Sequence, residues 1–266
     1  MKYGFIGCGN MGSALIKAVA KKIGGENLFI SDFDKTKAEN LAKTIGAYHV
    51  TNREIASNCD FVVVGVKPQV IKSLFEEIGS ILNMRNDVTV ISMAAGVSVE
   101  SIQNMLTDHT KVIRIMPNLP AEVNEGVILY CTSKDIENEK VNDFLSAFSL
   151  CGVVDKIGEN LIDAASAVSG CGPAFVFMFI QSLADAAVSC GIPRDNALLY
   201  ASQTVLGAAK LAITTGEHPE KLKDAVCSPG GSTIAGVAAL EDNAFRSAVE
   251  KAVVASYKRT TELFKK

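Results

Sequence analysis

The chain has 266 residues, with 26 Lys and Arg against 29 Asp and Glu, a formal net charge of −3, and 48% hydrophobic residues. This composition describes a globular protein with room for one large domain or two moderate ones, and it excludes a disordered or fibrous chain. The slightly acidic balance, without a basic block, leaves no electrostatic footprint for nucleic acid.

The amino terminus, Met1-Lys2-Tyr3-Gly4-Phe5-Ile6, enters a short apolar run that breaks at once into glycines, too short and wrongly flanked for a signal peptide. The most apolar stretch, Ala174 to Ile180, is stopped by Gln181 and Asp185, below the roughly 20 apolar residues that a membrane span requires. A cytoplasmic protein without a membrane segment is expected. Seven cysteines (Cys8, Cys59, Cys131, Cys151, Cys171, Cys190 and Cys227) are an odd number without a C-x-x-C pair. Reduced, mostly buried thiols are therefore expected, rather than a disulfide framework or a metal site.

Short β-branched runs mark strands at Tyr3 to Ile6, Leu28 to Ser31, Tyr48 to Val50, Phe61 to Val64, Val88 to Ser92 and Val112 to Met116. Between most of them, Met11 to Lys22, Lys35 to Ile45, Val70 to Leu82 and Val99 to Leu106 carry apolar residues at helical spacing. Such alternation predicts a parallel, doubly wound α/β sheet covered by helices. Gly126 to Cys131 and Gly152 to Lys156, flanking a helical Ile136 to Ser149, extend the sheet, and the first domain is expected to cover residues 1–158.

Residues 159–266 read as all-helical, with Ala-rich windows punctuated by Gly170-Cys171-Gly172-Pro173, Gly191-Ile192-Pro193, Gly216-Glu217-His218-Pro219 and Ser228-Pro229-Gly230-Gly231. Pro193 and Pro219 fit helix starts, and Gly191 and Gly216 fit helix ends. The segment Pro173 to Cys190 is apolar around most of its circumference, which predicts burial on several sides and a subunit interface to supply it.

Gly7-Cys8-Gly9-Asn10-Met11-Gly12 is a G-x-G-x-x-G placed directly after a strand and opening a helix. The glycines allow a tight turn, close approach of a pyrophosphate and tight helix packing, and the helix N-terminus supplies N–H donors. Asp32 ends the second strand, where an acidic side chain accepts from adenosine ribose hydroxyls, a placement that leans toward NAD. Its ordinary alternative is an N-cap, with Asp34 as rival. Phe33 stands where an arginine would clamp a 2′-phosphate, yet Lys35 and Lys37 lie close by, so NADH and NADPH both stay open. The segments after later strands, Gly65-Val66-Lys67-Pro68-Gln69, Ala94-Ala95-Gly96 and Met116-Pro117-Asn118, are further ligand candidates or ordinary loops. Ser228-Pro229-Gly230-Gly231-Ser232-Thr233 precedes another helical run, and its free N–H groups and hydroxyls suit a small carboxylate or a plain N-capped loop.

Taken together, these blocks resemble the Δ1-pyrroline-5-carboxylate reductase family over essentially the whole chain. The resemblance rests on Phe5 to Gly12, Val66-Lys67-Pro68-Gln69, Met116-Pro117-Asn118, Asp163 through Gly172-Pro173-Ala174 to Gly191-Ile192-Pro193-Arg194, Gln203-Thr204-Val205 with Gly207-Ala208-Ala209, and Leu222-Lys223-Asp224 leading into Ser228-Pro229-Gly230-Gly231. It implies a Rossmann domain followed by a helical dimerisation domain, a homodimer that can assemble into a larger ring, and reduction of a cyclic imine to L-proline with NADPH or NADH. It further implies that Ile6, Gly7, Cys8, Gly9, Asn10, Met11, Asn52, Gly65, Val66, Lys67, Pro68, Met93, Ala94 and Ala95 line the dinucleotide. Gly12 and Asp32 join them from the motif itself. Ser232 and Thr233, with Ser228, Gly230 and Gly231 of the same loop, would hold the carboxylate and ring nitrogen, Thr233 serving catalysis and Glu159 standing near the substrate. Asp32 departs from the serine or asparagine of NADPH-favouring relatives, and Ser166, Cys171 and Ser232 are small departures.

A β-hydroxyacid dehydrogenase would place a lysine soon after the Gly-x-Gly turn, whereas Gly170-Cys171-Gly172 is followed by Pro173-Ala174-Phe175-Val176 and the next lysine is Lys210. Cys171 and Cys227 lack the flanking cation that a reactive thiolate needs. His49, His109 and His218 offer no evident base, His218 reading as a surface residue at a helix turn. Reduction of another cyclic imine, or dinucleotide sensing without turnover, remains as an alternative.

Overall fold

A computed structural model describes residues 1–263. The chain divides into two compact units, one of residues 1–171 with 256–263 and one of residues 172–255.

The first unit is built on an eight-stranded sheet. Its strands are β1 (Tyr3–Ile6), β2 (Leu28–Ser31), β3 (Tyr48–His49), β4 (Phe61–Val64), β5 (Thr89–Ser92), β6 (Lys111–Met116), β7 (Gly126–Thr132) and β8 (Gly152–Lys156), in the order β3-β2-β1-β4-β5-β6-β7-β8. β1 and β4 are buried along their whole length, as central strands of a sheet covered on both faces must be. Alternate residues serve opposite cores: Phe61 and Val63 pack with Phe5, Leu15 and Phe148, whereas Val62 and Val64 pack with Ile55, Leu74 and Ile78. Tyr3 stacks on Phe61 with ring centroids 4.5 Å apart and donates its hydroxyl to the Asp143 carbonyl at 3.0 Å.

Helices α1 (Asn10–Ile23), α2 (Lys35–Ile45), α3 (Asn52–Asn58), α4 (Pro68–Asn83), α5 (Val99–Met105) and α6 (Asn138–Ala147) connect the strands. Their starts follow from local chemistry. Asp34 caps α2 by accepting the Lys37 N–H at 3.1 Å, Thr51 and Glu54 form a reciprocal capping box on α3, and Pro68 opens α4. α3 lies in a stretch without a periodic apolar signal. The sheet departs from an all-parallel one, because β7 pairs antiparallel with β6. A short 3-10 turn, Leu119–Val123, ends at Asn124 with φ of 66° and returns the chain along the same edge, and β8 then pairs parallel with β7.

Helix α7 (Glu159–Ser169), which follows the boundary expected at residue 158, packs with this unit. The reason is electrostatic. Arg114 on β6, 3% exposed, reaches Asp163 at 2.6 Å and Glu159 at 3.3 Å, and Asn118 donates to the Ser169 carbonyl at 2.8 Å.

The second unit is helical: α8 (Gly172–Ser189), α9 (Arg194–Thr215), α10 (Pro219–Val226), α11 (Ser232–Asp242) and the first part of α12 (Phe245–Leu263). Pro193 caps α9, Pro219 is the first residue of α10, and Gly216 closes α9 with φ of 64°. α8 and α9 meet at Ala184, Ala197 and Ala201, small residues that let the backbones approach. Within one chain Met178 is 71% exposed and Phe177 58%, so the chain alone does not supply the burial expected of the α8 segment. Ile213 on α9 is 84% exposed, so these helices present more apolar surface than their own chain covers. By length and composition alone, the stretches Glu159–Ser189 and Arg194–Thr215 are long and apolar enough to cross a membrane, a test that core helices also pass.

Candidate active site

The first six strands follow the order β3-β2-β1-β4-β5-β6, whose topological switch lies between β1 and β4. A cleft of about 530 Å³ opens at the carboxyl ends of β1, β2 and β4, a size usual for a small-molecule site. Of the expected cofactor residues, Ile6, Gly7, Gly9, Asp32, Asn52, Gly65, Val66 and Lys67 line it.

Gly7 has φ of 111°, and a Cβ there would lie 2.6 Å from the Gly65 carbonyl oxygen. A Cβ on Gly12 would strike the Gly7 carbonyl, so this glycine lets α1 sit against the turn. Gly9 faces open space and is the N-cap of α1, with no side-chain cap and no acid in the first turn. The first N–H groups of α1 are thus left for a ligand. A turn that side chains would block, next to an uncapped helix start, fits the pyrophosphate of a dinucleotide.

The other expected residues stand outside the cleft wall. Cys8 is buried beneath the turn, its Sγ 3.8 Å from the Ser31 carbonyl oxygen, and burial followed by the Asp32 charge pushes its thiol up to about 12. Asn10 is exposed, Met11 packs against the core, and Gly12 is buried. Pro68 acts as a helix start. Ala94 is buried and Ala95 packs into the second core, while the end of the Met93 side chain lies beside Gly65. α4 supplies wall residues that the sequence reading missed: Val70, Ser73, Leu74 and Glu77. Their three-and-four spacing downstream of Lys67-Pro68 is the signal that marks them.

Asp32 does not cap α2, a role that falls to Asp34. Its Oδ2 accepts the Cys8 N–H at 2.5 Å and its Oδ1 accepts the Asp34 N–H at 2.9 Å. Asn52 is equally fixed, its Oδ1 accepting the Ser31 hydroxyl at 2.7 Å and its Nδ2 donating to Glu77 at 3.0 Å.

Glu159 lines a separate cleft of about 400 Å³ with Val99, Thr132 and Lys134. Its Oε1 accepts the Val99 N–H at 2.8 Å as well as the Arg114 bond, joining the start of α5 to β6 and α7. Asn118 is structural, accepting the Val127 N–H at 2.8 Å.

In the helical unit, Gly230 has φ of 69° and Gly231, the N-cap of α11, donates its N–H to the Ser228 carbonyl at 3.0 Å. No side chain caps α11. Ser228, Ser232 and Thr233 are exposed, and among the described residues their hydroxyls have no hydrogen-bond partner. Uncapped N–H groups beside free hydroxyls have the chemistry that suits a small carboxylate. His218 caps α10 through Nδ1, which accepts the Glu220 N–H at 3.3 Å. Cys171 and Cys227 are half-buried, Cys190 is exposed, and all seven thiols are free.

Residues 159–263 match the family model described as pyrroline-5-carboxylate reductase dimerisation, and residues 2–96 match the model described as NADP oxidoreductase coenzyme F420-dependent. The chain is 40% identical to the pyrroline-5-carboxylate reductase of Methanosarcina acetivorans, over 100% of this chain and 98% of the relative. It is likewise 40% identical to the enzyme of that name from Escherichia coli, over 99% and 98%. Among solved structures it resembles a Plasmodium falciparum pyrroline carboxylate reductase with NADP bound, with a TM-score of 0.88 and 32% identity over 99% of this chain and 98% of that one.

Proposed function

The chain belongs to the pyrroline-5-carboxylate reductase family, and from that premise we propose how its own residues reduce the C=N bond of 1-pyrroline-5-carboxylate to L-proline, the last step of proline biosynthesis. When bound, NADH or NADPH supplies the hydride that adds to the imine carbon. The Gly7 to Gly9 turn and the open N-terminus of α1 hold the pyrophosphate. Asn52, Gly65, Val66 and Lys67 form the surrounding wall, and Met93 to Ala95 support it from behind.

The observation that carries the substrate assignment is the loop from Ser228 to Thr233. Its exposed, partnerless hydroxyls stand at an uncapped helix start, a place that favours a carboxylate. Ser232 and the N–H groups of α11 take the carboxylate, and the Thr233 hydroxyl bonds the ring nitrogen. A cyclic iminium carries its own proton, so the chain contributes orientation and charge placement more than acid catalysis. Glu159 acts near the substrate by fixing the start of α5 through Val99.

The exposed apolar faces of α8 and α9 are covered by a second copy of the chain rather than by lipid, a reading supported by the dimerisation model that spans residues 159–263. Assembly of dimers into a larger ring, and a cytoplasmic location, complete the proposal.

The test is proline formation from the imine with each dinucleotide, in the parent and in Thr233→Val. The variant is expected to lose roughly 10- to 100-fold in kcat/KM. Unchanged kinetics would remove Thr233 from the mechanism.

A further inference from the structure

The adenosine end of the dinucleotide cleft continues into a second hollow of about 460 Å³, and the two share Asp32, Phe33, Asn52 and Glu77. Its walls carry three acids, Asp32, Glu54 and Glu77, against Lys35 and His49, and no arginine. Glu54 and Glu77 are held in place, Glu54 by the N–H and hydroxyl of Thr51 and Glu77 by the Asn52 amide.

Asp32 is fixed more firmly than either. One oxygen accepts from Cys8 and the other from Asp34, so its carboxylate cannot swing aside to make room for an anion. Two carboxylate oxygens offer about four lone-pair sites, and these two bonds use half of them. What remains suits a donor, such as a ribose hydroxyl, and opposes a phosphate, which brings charge and few protons. The adjoining Phe33 is fully exposed at the mouth of both hollows, a flat apolar face where a guanidinium would be needed to neutralise a 2′-phosphate.

From this arrangement, and resting on the reading of the first cleft as the dinucleotide site, we propose that the Asp32-Phe33 turn makes this chain prefer NADH to NADPH. The preference lies in binding, because an unmovable like charge raises the cost of seating a 2′-phosphate before any chemistry begins.

The experiment is a pair of binding titrations without substrate, following dinucleotide fluorescence for NADH and NADPH and, independently, the heat of binding for NAD⁺ and NADP⁺. At low salt the NADH form is expected to bind at least about tenfold more tightly, and the gap is expected to narrow as salt screens Asp32. Asp32→Asn keeps an acceptor oxygen for the loop while removing the charge, and is expected to lower the ratio by about fivefold or more, chiefly by improving NADPH. Phe33→Arg, which leaves the loop bonds intact, is expected to move the ratio the same way. Equal affinities, or tighter NADPH binding by the parent chain, would overturn the preference while leaving the cleft assignment standing. Binding of neither dinucleotide would overturn both.

Discussion

The carboxylate of Asp32 accepts the backbone N–H of Cys8 at 2.5 Å, tying the end of β2 to the glycine turn that follows β1. One side chain thereby sets the shape of the glycine turn and the charge at the end of β2, where we propose that the dinucleotide binds. Asp32→Ala is expected to weaken binding of both dinucleotides by about tenfold and to destabilise the fold by roughly 1–3 kcal/mol, since two N–H groups lose a charged acceptor. Calorimetric titration and urea unfolding of the variant check the two parts separately.

Arg114 is the buried cation between Glu159 and Asp163. Arg114→Ala leaves both acids without their partner and releases α7 from β6, with an expected loss of about 3 kcal/mol. Denaturant unfolding measures it. Replacing Arg114 by Met, which refills the apolar part of the site, is expected to cost less.

Burial pushes the Cys8, Cys59 and Cys151 thiols up to about 12, with Asp32 adding to the effect at Cys8. Thiols reach alkylating reagents as thiolates, and these three stay protonated as well as covered. At pH 8, mass mapping after brief iodoacetamide treatment is expected to show label on the exposed Cys190 and none on Cys8, Cys59 or Cys151.

Glu220 accepts from Lys223 at 2.6 Å and from Arg246 at 2.8 Å, and these bonds hold its carboxyl down at about 2. A lowered carboxyl contributes stability that is present above its unfolded value, about 4.3, and is lost as pH falls through the folded one. The tie between α10 and α12 is therefore expected to persist at pH 5 and to fail between about pH 4 and pH 2. A carbon-detected NMR titration of Glu220 gives the midpoint, and a midpoint near 4.3 would remove the bonds from solution.

What the sequence made legible depended on how much of each element's fate is local. Phe61 to Val64 and Leu28 to Ser31 read correctly to the residue, because strands buried on both faces need uninterrupted β-branched or aromatic runs. Helix α3 escaped, being short and polar, although Thr51 and Glu54 spelled its capping box in advance. The reversal at β7 was not readable, since it is set by how the 3-10 turn at Leu119–Val123 returns the chain along the sheet edge. Gly7, Gly9 and Asp32 were found from a motif whose chemistry is local. Val70 and Glu77 join them only through packing of α4 beside β1 and β4. The apolar circumference of the α8 segment was legible as a face that one chain cannot cover, and Phe177 and Met178 are exposed within one chain.

The central claim is tested most directly by following the hydride. With NADH deuterated at the transferable position of the nicotinamide, and 1-pyrroline-5-carboxylate as substrate, the expected product is L-proline carrying one deuterium, on the ring carbon next to nitrogen and remote from the carboxylate. Proline without that label, or dinucleotide binding with no proline formed, would contradict the account.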